Sequence, residues 1–436
     1  MKKIYFISGL AALSLASCKP NFKTDAPSAN GLDFSRYVAV GNSLTAGYSD
    51  GTLYRSGQQT SYPAILAEQF RLLGGGTFTQ PLLPGESGWP GPKRVLGYSS
   101  VCGGAPSLSP VIYSGNRDTA GSGVNIAAQG PYNNMGIPGI RAIDFLFPGY
   151  GFANPYAGRI FSAPFARGVD EIDNIPATFF TVWLGANDVL GYALSGGEGS
   201  NTPSSPQNIS DVNSFKIAYD SVVNTMTRGG AKGALLNIPD ITSIPYFTTI
   251  PANSLQLNAS QAAQLAAAYS GAGMTFVAGS NYFVVEDPNV PQLGFRQAKP
   301  GEIILLTTPS DSLRCGGWGS TRPIPKEYVL TLTEINKIRE ATTAFNNHIR
   351  AKAIQSQLAY VDMAAYLKTL GTGIRFNGVD YTAQFVSGGA FSLDGIHLTP
   401  RGYAMAANEI IRTINGYYNS TVPTVDANKF GGVRFP

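Results

Sequence analysis

Apolar positions recur along this chain in two ways. The stretches "RYVAV" (36–40), "ATFFTVWLG" (177–185), "KGALLNIP" (232–239) and "QLAYVDM" (357–363) are short, mostly apolar runs. Such runs predict strands covered on both faces rather than strands with one face in water. Between and after them, apolar residues return at helical spacing. Phe215, Tyr219, Val222 and Met226 form one such stripe, and Ile335, Ile338, Phe345 and Ile349 another, opened by Thr331 and Glu334 at capping-box spacing. Thr399-Pro400 reads as N-cap and first helical turn ahead of Tyr403, Ala407, Ile410, Ile411 and Ile414. "SYPAILAEQFRLLGGG" carries Pro63 near its start and Gly74 at its end, the usual asymmetry of helix termini. Strands alternating with helices predict a parallel sheet with helices on both faces.

Two long segments break the alternation. Residues 75 to about 130 are rich in Gly, Pro, Ser and Tyr. Residues 241 to about 325 hold an alanine-rich helix ("ASQAAQLAAAY") and two strand candidates ("NYFVVED", "GEIILLTT"). Long loops inside a compact domain are uncommon unless they build a site, so both are expected to be insertions carried by the sheet.

The chain opens "MKKIYFISGLAALSLASCKP": two lysines, an apolar run from Ile4 to Ala16 too short to span a bilayer, then Leu15-Ala16-Ser17-Cys18. This resembles the lipobox of bacterial lipoproteins, which implies cleavage before Cys18, lipid on that cysteine and a stable membrane anchor. The expected layout is a signal peptide over 1–17, a polar tether over 18–33, one domain over 34–418 with its insertions, and a tail over 419–436. The expected location is the cell envelope.

Composition narrows the chemistry. Charged residues are 13% of the chain and no basic run exists, so nucleic acid is not an expected partner. Gly (51) and Pro (29) are abundant beside 43% hydrophobic residues, which fits a packed core carrying long ordered loops. Besides Cys18, only Cys102 and Cys315 remain. They fall in different insertions, and in an oxidising compartment a disulfide would join the two, although sequence alone does not show that they meet. The only histidines are His348 and His397. No zinc-ligand spacing, EF-hand, Walker loop or dinucleotide fingerprint is present, so neither a metal nor an organic cofactor is expected.

What remains is hydroxyl, carboxylate, amide and imidazole. "VAVGNSLTAGYSD" ends a buried strand at Gly41-Asn42-Ser43, where open α/β folds place their ligands. "FSLDGIHLTPRGY" sets Asp394 three residues before His397, close enough for the carboxylate to orient one ring nitrogen while the other takes a proton from a serine. Asn187, in "VWLGANDVLG", offers an amide at a strand end, with Asp188 beside it as a helix cap. Gly139, in "NNMGIPGIRAIDF", offers a backbone N–H in a tight turn. His348 lies mid-helix and receives no role.

Together these blocks resemble the GDSL, or SGNH, hydrolases. Gly41-Asn42-Ser43-Leu44 matches the first block, Gly139 the second, Gly185-Ala186-Asn187-Asp188 the third and Asp394-Gly395-Ile396-His397 the last. "GALLNIPDITSIP" also resembles the strand and turn that precede the insertions of lipase-like members. The resemblance implies a three-layer α/β/α sandwich with a flavodoxin-like parallel sheet. It implies a triad of Ser43, His397 and Asp394, with an oxyanion hole of the Ser43 N–H, the Gly139 N–H and the Asn187 amide. Asn42 stands where the motif's name has Asp, a change that touches local turn bonding rather than the reacting groups. The implied activity is ester hydrolysis of a lipase or lysophospholipase kind. An acetyl-glycan esterase, or a surface binding lipoprotein without catalysis, are the alternatives.

Overall fold

The computed structural model describes residues 26–435. Cys18 and the leader lie outside the described residues. Five strands form the central sheet: β1 (Tyr37–Gly41), β2 (Asn134–Gly136), β3 (Phe179–Trp183), β4 (Lys232–Leu236) and β5 (Ala359–Val361). They lie in the order β2-β1-β3-β4-β5, every neighbouring pair parallel, which is the flavodoxin-like arrangement. β1 and β3 are buried at every residue, as their largely apolar character requires, and the one hydroxyl of β3, on Thr181, is paired with that of Tyr37. Four of the five strands coincide with the apolar runs. The fifth, β2, has three residues and lies inside the block read only as a turn.

Six helices matter for the site. They are α1 (Ser43–Ala46), α2 (Tyr62–Arg71), α3 (Asn187–Leu194), α4 (Val212–Met226), α5 (Leu332–Gln355) and α6 (Pro400–Tyr418). α2 and α6 pack together on one layer, and α3, α4 and α5 on the other. The helical stripes face inward as their spacing requires: Phe215, Tyr219, Phe345, Ile349, Tyr403, Ile410 and Ile414 are all buried. The rings of Phe215 and Phe345 stack at 4.1 Å and join α4 to α5. Thr331 and Glu334 close a reciprocal capping box on α5, and the Thr399 hydroxyl accepts the Gly402 N–H at the start of α6.

The segments outside this alternation are ordered. Residues 94–99 and 107–112 pair as an antiparallel hairpin. Residues 250–330 gather a second hydrophobic cluster that includes Leu255, Leu265, Phe276, Val284, Ile304 and Ile324. There "NYFVVED" divides into two short strands, Gly279–Asn281 and Val284–Glu286, and "GEIILLTT" is strand only at Ile303–Ile304. Cys102, beyond the hairpin's first strand, and Cys315, in the second segment, are joined as a disulfide with Cα atoms 6.1 Å apart. That bond uses the two sulfurs of the one His/Cys/Asp/Glu group among the described residues whose ligand atoms cluster tightly, Cys102, Asp311 and Cys315. No helix of the described residues is long and apolar enough to cross a membrane.

Candidate active site

β1 ends at Gly41 because nothing larger fits: a Cβ there would run into the Thr45 hydroxyl and the Trp183 carbonyl. The chain turns at once into α1. Asn42 caps it, its Oδ1 accepting the Leu44 N–H at 3.1 Å, so asparagine performs the turn bonding that an aspartate would. Ser43 thereby stands as the first residue of α1, at the carboxyl edge of the sheet and only 7% exposed.

His397 meets it from a position 354 residues later in the chain. The Ser43 hydroxyl lies 2.8 Å from His397 Nε2, and Nδ1 lies 2.7 Å from Asp394 Oδ2. A carboxylate only accepts, so Nδ1 carries the proton and Nε2 is left as the acceptor for the serine hydroxyl. Asp394 is held from all sides. Its Oδ1 accepts from the Ser392 hydroxyl and the Ile396 and His397 N–H groups, and its Oδ2 from His397 Nδ1 and the Gly51 N–H. Burial alone would raise this carboxyl's pKa. The adjoining imidazole and these donors outweigh it and hold the group well below the usual carboxylate range. The Tyr48 ring covers the imidazole, centroid to centroid 4.5 Å.

The turn carrying Asp394 is itself braced by the loop after α1. Asp50 Oδ1 accepts the Leu393 N–H at 3.0 Å, and the Asp50 N–H donates to the Ser392 hydroxyl at 3.0 Å. Tyr54 donates to the other Asp50 oxygen at 2.7 Å. Asp50, Ser392 and Gly51 were not singled out from sequence. Their only signal is adjacency to the two motifs, because the contacts themselves span 342 to 343 positions.

Gly139 and Asn187 line the same cleft as Ser43 and His397. Gly139 sits at φ +84°, a left-handed conformation suited to glycine. Neither its N–H nor that of Ser43 donates to a protein acceptor among the described residues. Asn187, first residue of α3, uses one amide hydrogen to reach the Ile140 carbonyl at 2.9 Å. The other hydrogen is left for the cleft that the side chain lines. The Asn187 side chain makes no capping bond. Asp188 is not a cap either, contrary to its expected role: it is fully buried and its Oδ2 accepts the Ala142 N–H at 2.8 Å. It therefore ties the start of α3 to the loop that carries Gly139. Its Oδ1 has no partner in good geometry, the neighbouring Ser210 hydroxyl included. Burial raises this carboxyl to about 7, against the Ala142 N–H, which favours the charged form. The same loop is fastened further along, where Arg141 grips Asp144 at 2.8 Å and reaches the Ser204 and Ser205 carbonyls. Arg141 and Asp144 had no reading in the sequence, since both look like ordinary loop charges there.

His348 is far from this chemistry in role: its Nε2 lies 2.9 Å from Asp220, joining α5 to α4. Around Ser43 and His397 a cleft of about 370 Å³ is walled by Leu190, Leu194, Ile396 and the Tyr48, Tyr156 and Tyr246 rings. Arg94, from the hairpin, lines it as well.

The model of the GDSL-like lipase/acylhydrolase family matches residues 37–410, from the first residue of β1 into α6. The chain belongs to that family. It is accordingly a carboxylic ester hydrolase of the GDSL type. Among curated protein sequences none matches the chain significantly. Among solved structures, it is similar to a mutant of an acetyl-xylooligosaccharide esterase from Geobacillus Stearmophilus, at 10% identity and a TM-score of 0.35, covering 87% of this chain and 93% of that one. It is also similar to a protein described as a GDSL-like lipase from Parabacteroides merdae ATCC 43184, at 10% identity and a TM-score of 0.35, covering 88% of this chain and 98% of that one. Likenesses of that size carry no weight for function, which is argued below from the geometry.

Proposed function

We propose that this hydrolase cleaves carboxylic esters of a lipase or lysophospholipase kind through an acyl-enzyme on Ser43. The observation that carries the reading is the unbroken chain of contacts from Asp394 through His397 to the Ser43 hydroxyl. As Ser43 Oγ bonds to the ester carbonyl carbon, its proton passes to His397 Nε2, and Asp394 steadies the imidazolium. The carbonyl oxygen becomes an oxyanion facing the Ser43 and Gly139 N–H groups and the Asn187 amide. The carbon–oxygen bond to the alcohol then breaks, and His397 returns the proton to the departing oxygen. Water repeats the sequence on the acyl-serine, and the carboxylic acid leaves.

The apolar wall of Leu190, Leu194 and Ile396 suits an acyl chain. A second reading, deacetylation of a glycan, rests on the three tyrosine rings in the same cleft, flat surfaces of the kind sugar rings pack against. Hydrolysis rates across a series of ester chain lengths, measured beside an acetylated xylan, separate the two. Rates rising from acetyl to medium chains support the lipase-like reading, and release of acetate from the glycan alone overturns it. A chain that cleaves neither would be a binding protein with a relic site.

We place the protein in the cell envelope, anchored by lipid on Cys18. The paired Cys102 and Cys315 support an oxidising compartment. Metabolic labelling with a fatty acid should mark the full-length chain and not its Cys18→Ser variant.

A further inference from the structure

The cleft holds one strong charge that the triad does not use. Arg94 opens the hairpin, its backbone N–H bonded to the Asp50 carbonyl at 2.7 Å. Its guanidinium lies over Gly51, where any side chain would collide with it. Among the described residues it makes no ion pair and no side-chain hydrogen bond. The only acidic side chain lining the cleft is Asp394, whose oxygens already accept five hydrogen bonds. The nearby phenols are engaged too: Tyr48 donates to the Gly51 carbonyl, Tyr156 to the Trp89 carbonyl, and Tyr246 meets Thr307. A half-buried guanidinium without a partner, held over a glycine beside the reacting groups, is a place for an anion.

Its side of the cleft says which part of the substrate bears that anion. On the acyl-transfer reading, Gly139, Asn187 and the Ser43 N–H are the donors to the acyl oxygen, and His397, bonded to the Ser43 hydroxyl, is the acid to the leaving alcohol. The acyl carbonyl must face the donors, with Leu190 and Leu194 on the Asn187 helix beside it. The alcohol must leave past His397, which protonates it. Gly51, whose N–H bonds Asp394, and Arg94 above it belong to the His397 side. Beyond them Arg94 also lines a larger groove of about 780 Å³, shared with Lys93, Lys429 and Arg434. None of these four cations forms an ion pair among the described residues. The groove's two carboxylates are engaged, Asp50 by Tyr54 and the Leu393 N–H, and Glu86 by the Ser56 N–H and hydroxyl.

We propose that Arg94 is a specificity determinant that selects esters whose alcohol part carries a negative charge, a carboxylate or a phosphate. The inference rests on the acyl-transfer reading above and deepens it. It concerns the alcohol, so it applies to a charged glycerol headgroup and to an acidic sugar alike.

The test uses phenyl acetates carrying a para carboxylate, a para phosphate or, as neutral reference, a para methyl carboxylate. The acyl-side control is 4-nitrophenyl hemisuccinate against 4-nitrophenyl butyrate. The ratio of kcat/KM for charged over neutral alcohol should fall about tenfold or more from the wild type to Arg94→Gln, with Arg94→Lys in between. The hemisuccinate-to-butyrate ratio should barely move. A stronger effect on phosphate points to a phosphorylated headgroup, and on carboxylate to an acidic sugar. Equal ratios in the wild type and Arg94→Gln overturn the inference while leaving the hydrolase reading intact, as does an equal effect on the acyl-side pair. If no ester is cleaved, the hydrolase reading falls and this inference with it. Should Arg94→Gln fail to fold, salt decides in the wild type: added salt should slow the charged esters and spare the neutral one, and identical responses overturn the proposal.

Discussion

The two sides of Ser43 are built on different principles. The acid–base side is short-range in its motif and closed in its bonding. Asp394 and His397 share one turn, Asp394 accepts five hydrogen bonds, and the Asp50 loop clamps the turn from outside. The donor side is assembled from separate pieces. The Ser43 N–H comes from β1's end, Gly139 from the loop after β2 and Asn187 from the end of β3, and the last two are joined through Asp188 and Ala142. A saturated carboxylate fixes the imidazole before substrate arrives. The donor side keeps two backbone N–H groups without protein acceptors among the described residues, which the proposed mechanism uses for charge that exists only during the reaction.

Substitutions on each side should therefore fail differently. His397→Ala and Ser43→Ala should each lower kcat by about 10⁴-fold or more, because the members of a triad act as a unit. Melting of Ser43→Ala should stay close to wild type, as the hydroxyl bonds only His397. Asn187→Ala should lower kcat by about 10²–10³-fold with little change in KM, the mark of a bond made in the transition state. Asn187→Asp should be worse in both rate and melting temperature, since a carboxylate faces the oxyanion and also opposes the Ile140 carbonyl. An active, stable aspartate variant would place the donor elsewhere.

Asp188 gives the donor side a pH dependence near neutrality, opposite in sign to that of the acid–base side. Its folded pKa, about 7, stands above the unfolded value, so the native state holds the extra proton between the two. Stability from this group is full below the unfolded pKa and is lost as pH rises through about 7. Asp188→Asn keeps an acceptor for Ala142 and should flatten that loss, seen as melting temperatures that converge at low pH and diverge above neutrality. Asp394 has the opposite sign: its depressed pKa contributes stability at neutral pH that is lost only in strong acid, as pH falls through the folded value. Reduction of the Cys102–Cys315 bond should cost about 2–4 kcal/mol of stability in chemical denaturation. His348→Ala should leave turnover nearly unchanged. A large loss there with an active His397→Ala would reverse the assignment of the two histidines.

The same contrast explains what could be read from the chain. Ser43, Asn187 and the Asp394–His397 pair each sit in a few contiguous residues at a strand end or before a capped helix, so periodicity and spacing reach them. β1, β3, β4 and β5 are visible because they are buried on both faces, whereas three-residue β2 is too short to show a period. Asp50, Ser392, Arg141, Asp144 and Arg94 act through contacts set by the folded path of the chain, and their local sequence resembles any polar loop. Asp188 was visible but misread, because an acid in the first turn of a helix normally caps it. Here burial beneath the Gly139 loop gives it another partner.

The role of Ser43 as nucleophile is open to a direct test, the mass of the protein after treatment with a fluorophosphonate. One adduct per chain is expected, mapped to the peptide holding Ser43 and absent from both Ser43→Ala and His397→Ala. An adduct on another residue, or full labelling of Ser43→Ala, would contradict it.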